Sequence, residues 1–165
     1  MRADLYRILA PLLLIFLLPV QGYSGPPVQS TLLYREGAEL FKKGDIESAE
    51  LKFIESVKLS PSYSLAYYGL GRVYLFKEDK IDDAITHLRK SVELDAGLAR
   101  GYFYLGLAEL LAEKHIEALH SFENAYSRDS RFIESLYNIA VIHEHLGNSF
   151  KAFVYFRRYI NETEK

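Results

Sequence analysis

The sequence predicts an all-α solenoid of four helix pairs, and three observations lead there. Small residues recur at Gly37, Gly71, Gly106 and Ala140, with gaps of 34, 35 and 34. A second series, Ala49, Ala84, Ala118 and Ala152, has gaps of 35, 34 and 34, and each member is followed four residues later by Phe53, Leu88, Phe122 or Phe156. Both series locate one inserted residue between Gly71 and Ala84, in the turn Lys77-Glu78-Asp79-Lys80. Periods in this range mark repeat architectures, in which each unit buries its apolar face against its neighbours. At a crossing of antiparallel helices a missing or short side chain lets the backbones approach closely, and a large neighbour fills the adjacent hole.

The chain opens differently. Arg2 and Arg7 flank the start of an uncharged run, Ile8 to Val20, that holds Pro11 and Pro19. Its 13 residues are fewer than the roughly 20 that span a bilayer, which predicts a signal peptide over 1–22 cut after Gly22. The alternative is an uncleaved signal anchor extending back to Leu5. Residues 23–29, Gly/Pro/Ser-rich, read as a linker. The repeats occupy 30–165, in units 30–63, 64–98, 99–132 and 133–165, each two amphipathic helices joined by a short polar turn. In the first unit Lys43-Gly44-Asp45 supplies a positive φ and an N-cap, and Pro61 stops the second helix. The turn Lys77 to Lys80 joins the helices of the second unit. In the fourth, Gly147-Asn148-Ser149 repeats the chemistry of the first.

Composition narrows the function. The chain has 165 residues, 49% hydrophobic and 25% charged, with a formal charge of -2, too balanced for nucleic acid to be an expected partner. It has no cysteine, which excludes disulfides, thiolate metal sites and thiol nucleophiles. His143-Glu144-His145 does not make a metal site, because paired helical ligands stand four residues apart on one face. Gly69-Leu70-Gly71 sits inside a helix with no strand before it, so it is packing and not a dinucleotide loop. Neither a cofactor nor an enzymatic activity is predicted. Asn161-Glu162-Thr163 fits a glycosylation sequon.

The chain resembles the tetratricopeptide repeat family. The second unit supplies Tyr67, Leu70, Gly71, Tyr74 and Ala84 at the family's positions, and the third supplies Tyr102, Leu105, Gly106, Ala118, Phe122 and Ala125. Glu36 replaces a Leu, and Ser56 and Ser91 replace a packing Ala at an expected cost in stability. The resemblance implies a right-handed solenoid whose first helices line a concave face. The fifth, ninth and twelfth positions of the units then share one helical stripe. Its candidate partner-binding residues are Tyr34, Phe41, Tyr68, Arg72, Leu75, Phe103, Leu107, Tyr137 and Val141, with Arg100 at the second position. Such a lining suits an amphipathic helix or an extended segment with apolar side chains. The family's carboxylate clamp is not expected, since its places hold Tyr34, Ala38, Gly69, Arg100 and Tyr104, of which only Arg100 is basic. Arg72 and Arg100 each offer a planar fork to an acidic group.

The last helix carries more apolar residues than one face can bury, so Phe150, Phe153 and Tyr155 are expected to form a terminal patch for self-association or docking. The reading is therefore an exported protein-interaction scaffold, periplasmic or secreted, that binds a protein or peptide segment in cell-envelope assembly. Its alternative is a membrane-anchored subunit of a secretion, pilus or cytochrome-maturation complex. Contact with the membrane is expected only if the N-terminal segment stays uncleaved.

Overall fold

Eight α-helices and no strand are found among the described residues, 25–165, of the computed structural model. The expected signal segment 1–22 lies outside them. The helices are α1 (Val28–Lys42), α2 (Ile46–Leu59), α3 (Ser64–Tyr74), α4 (Ile81–Leu94), α5 (Ala99–Leu111), α6 (His115–Arg128), α7 (Glu134–His145) and α8 (Ser149–Thr163). They pair as α1/α2, α3/α4, α5/α6 and α7/α8, and the second helix of each pair packs on the first helix of the next. α1 also touches α3, and α3 touches α5, so first helices form a continuous layer. No described helix is long and apolar enough to cross a membrane.

The turns follow their residues. Gly44 (φ +83°) and Gly147 (φ +74°) reverse the chain in the left-handed region. Asp45 caps α2 by accepting from the Ser48 N–H at 3.1 Å. Asn148 makes no side-chain cap bond to α8, so the fourth turn reproduces the glycine of the first but not its cap. In the third unit Glu113 takes the left-handed position at φ +57°, without the glycine that suits it. The inserted residue of the second unit is absorbed by a 3-10 turn, Glu78–Lys80.

The two small-residue series work together as the spacing predicts. Ala49, Ala84 and Ala118 are completely buried. A Cβ added to Gly37 would lie 2.8 Å from the Phe53 ring, one at Gly71 2.4 Å from Leu88 Cγ, and one at Gly106 2.9 Å from Phe122. A Cβ added to Gly69, two residues from Gly71 and on a different face of α3, would lie 2.5 Å from the Phe53 ring. Phe53 is thus clamped between two first helices, so it joins the units as well as filling its own.

Ser56 and Ser91 correct the expected cost. The Ser56 hydroxyl donates to the Ser30 carbonyl at 2.7 Å and the Ser91 hydroxyl to the Ser64 carbonyl at 2.9 Å. Each ties the end of a second helix to the start of its own first helix, 26 residues away for Ser56 and 27 for Ser91. A buried hydroxyl with a partner contributes where an alanine would leave none. Glu36 is exposed and pairs with Lys52 at 3.0 Å, as suits a helix with no helix before it in the described solenoid.

Candidate functional site

The first-helix layer gathers aromatic rings around two arginines. The Arg72 guanidinium, on α3, lies 4.4 Å from the ring centre of Phe41 on α1, 4.9 Å from Tyr104 on α5 and 5.4 Å from Tyr68. Three repeats therefore contribute to one cation–π cluster. Arg100 stands 5.7 Å from the ring centre of Tyr68 as well. Tyr34 completes the group, packing at 5.7 Å on both Phe53 and Tyr63.

Neither arginine has an ion-pair or side-chain hydrogen-bond partner among the described residues. Arg72 Nε is buried and unpaired within that set, while Arg100 is exposed. Their charge acts on the phenols: burial raises the Tyr34 pKa, with Arg100 and Arg72 opposing it. Burial likewise pushes the Tyr68 hydroxyl up to about 12 against the pull of Arg72. Both phenols stay protonated near neutral pH, available as donors and acceptors.

The predicted stripe is not uniformly accessible. Tyr68 is only 5% exposed and sits in the core between the second and third units. Phe103 packs edge-on to Phe122 and beside Phe132, and Leu107 rests on the core of the third and fourth units. Leu75 and Val141 are half-buried. Tyr137 is 47% exposed and leans on Phe156 and Tyr159. The layer thus divides into a charged aromatic half over the first three units and an apolar half toward the fourth.

Sequence spacing missed Tyr104, Tyr63 and Phe76. Tyr104 lies one residue off the stripe yet closes the cluster over Arg72. Tyr63 belongs to a turn, and Phe76, 69% exposed, meets Phe41 at 5.3 Å from beyond the end of α3. The available signal was compositional: Tyr102-Phe103-Tyr104 is an unbroken aromatic run, which one helical stripe cannot absorb.

Beside Arg100 a cleft of about 680 Å³ opens between the turns that follow α4 and α6. Its other arginines are engaged, Arg131 with Asp129 at 2.8 Å and Arg128 with the Ala96 carbonyl. Glu109, 3% exposed, accepts from the Ser121 hydroxyl at 2.6 Å and lies 3.5 Å from Arg89. Burial raises its pKa even so. His143 is buried and stacks on Tyr155, whereas His145 lies against His115 at 4.6 Å, so the two histidines diverge. No group of three or more metal-ligating side chains forms among the described residues.

The stacked pairs and their packing code have a counterpart in known proteins. Residues 34–99 match the tetratricopeptide repeat, and residues 134–162 match it again. This chain belongs to the tetratricopeptide repeat family. Among solved structures, a crystal structure of MamA superposes with a TM-score of 0.77 at 26% identity, covering 84% of this chain and 80% of that one. MamA 41-end from Desulfovibrio magneticus RS-1 gives 0.72 at 24% identity, over 80% and 74%. The first TPR of Spaghetti (RPAP3), bound to the HSP90 peptide SRMEEVD, gives 0.70 at 19%, over 76% and 99%. The last two likenesses establish the fold alone. No curated protein matches the chain in sequence.

Proposed function

We propose that this tetratricopeptide protein is an exported interaction scaffold whose first-helix face binds a polypeptide segment carrying an acidic side chain between apolar ones. The observation that carries this reading is the Arg72 cluster: a guanidinium held by three rings, its Nε buried without a partner among the described residues, with Arg100 beside it. The rings fix the charge in place, so a carboxylate arriving there meets donors already positioned. A relative of this fold is solved with the peptide SRMEEVD. Here the clamp places other than Arg100 are not basic, which favours a side-chain carboxylate within a segment over a chain terminus.

The test is fluorescence anisotropy with labelled ten-residue peptides in which one Asp or Glu, flanked by leucines, is exchanged for Asn or Gln. The carboxylate should improve affinity about tenfold, and Arg72→Ala or Arg100→Ala should remove that preference. Binding indifferent to both the carboxylate and the arginines would overturn the reading. Export to the cell envelope is supported by the Arg-flanked apolar run at 8–20. A mature chain beginning at Tyr23 supports a cleaved, soluble scaffold. Retention of Met1 in a membrane fraction supports the anchored alternative.

A further inference from the structure

α8 repeats the chemistry of a surface that α4 buries and that α6 buries in part. In α4, Ile85, Leu88 and Val92 pack on Leu98, Leu105 and Ala108 around α5, and Val92 fills the space left by Gly101. Arg89, on the same face, pairs with Glu109 of α5. The repeat register carries these four positions to Phe153, Phe156, Arg157 and Ile160. In α6 the same face, through Leu119 and Phe122, packs on Ile139 and Ile142 of α7. In α8, Phe153 is 62% exposed, Ile160 51% exposed, and Arg157 has no ion partner among the described residues.

The register also separates this face from ordinary exposure. Phe150 occupies the position of Ile116, which is 56% exposed, and Tyr155 turns inward onto His143. Of the three terminal-face residues expected from sequence, only Phe153 holds a position that the following first helix covers in the second and third units, where Ile85 and Leu119 are buried. A second copy stacking head to tail would bring α1 here. At the places where α5 presents Tyr104, Leu105 and Ala108, α1 presents Arg35, Glu36 and Glu39, which are exposed and polar. Such residues do not fill the spaces between Phe153 and Ile160.

We propose that this face of α8 is a second docking site, distinct from the first-helix groove, for an amphipathic helix of another polypeptide. That helix would have the chemistry of α5: small and leucine side chains on one stripe, with a carboxylate facing Arg157 as Glu109 faces Arg89. Charge complementarity and the template of the α4/α5 junction define the occupant. The two sites together make the chain a bridge between an extended segment and a helix.

The probe is a synthetic, end-capped, fluorescein-labelled peptide of residues 98–112, titrated against the full chain by anisotropy, with sedimentation equilibrium run in parallel. Saturable one-to-one binding is expected, weakened about tenfold or more by Phe153→Asp and by Ile160→Asp in proteins whose helicity is unchanged. Arg157→Glu should weaken it, and the peptide with Glu109→Lys should recover affinity for that variant alone. Because Glu109 between apolar residues also suits the groove, the titration is run on the Arg72→Ala, Arg100→Ala chain, where α8-dependent binding should persist, which keeps failure here separate from failure of the groove reading. Binding unaffected by the α8 substitutions would overturn the proposal. So would a dimer of the chain that Phe153→Asp dissociates, since the face would then be covered by a second copy.

Discussion

Gly71→Ala tests the packing code at its tightest point. The added methyl would stand 2.4 Å from Leu88 Cγ, 2.9 Å from Cδ2 and 3.1 Å from Cδ1. Cγ is the branch point, so rotating the terminal methyls does not clear the clash. Leu88 is fully buried, so the helices must separate or χ1 must change. Overpacking of this kind costs about 1–3 kcal/mol, and the depth of the overlap places it near the upper end. Removing a mid-helix glycine returns about 1 kcal/mol of helix propensity. The net expectation is a loss of about 2 kcal/mol, read as a lower urea midpoint with circular dichroism as the probe. In a Leu88→Ala background the obstacle is gone, and the same substitution should stabilise by about 1 kcal/mol. The sign reversal is the signature. Equal effects in the two backgrounds would show that Gly71 and Leu88 do not meet, and the register of all four units would fall with them.

Other expectations follow from the same contacts. Ser56→Ala and Ser91→Ala should each destabilise by about 1 kcal/mol, because a buried interhelical hydrogen bond is lost; a gain in urea midpoint would restore the sequence-based expectation that alanine is better there. Glu113→Gly should stabilise by about 1 kcal/mol by relieving φ +57°, seen as a higher melting temperature. Burial lowers the His87 pKa from 6.5, with Asp83 opposing it. The folded state then prefers the neutral ring, so the stability from this site is complete above pH 6.5 and is lost as pH falls toward the depressed value. His87→Phe should flatten that part of the stability profile while keeping the contacts to Tyr67 and Tyr74; an unchanged profile would refute the assignment. Tyr137→Ala should leave the melting temperature within a few degrees but weaken segment binding, since the ring is largely outside the core.

The fold was legible because packing at helix crossings leaves a periodic trace. Gly37, Gly71 and Gly106 are small where Phe53, Leu88 and Phe122 press, and two series agreeing on one insertion fixed the register before any geometry was known. What the sequence could not decide was which apolar positions remain open. Tyr68 and Phe103 lie on the predicted stripe, yet a neighbouring repeat closes over the first, and the second packs on Phe122 of its own unit. Tyr104 lies off the stripe and still caps Arg72 from the next unit. Ser56 looked like a defect until its hydroxyl met a carbonyl 26 residues away. Phe150, Phe153 and Tyr155 looked alike along one helix, but only comparison with the buried faces of α4 and α6 singles out Phe153. Helix-local periodicity determines which residues share a face. Exposure depends on what the next repeat lays across that face, and that is set by contacts between residues of different repeats, which only the tertiary structure brings together.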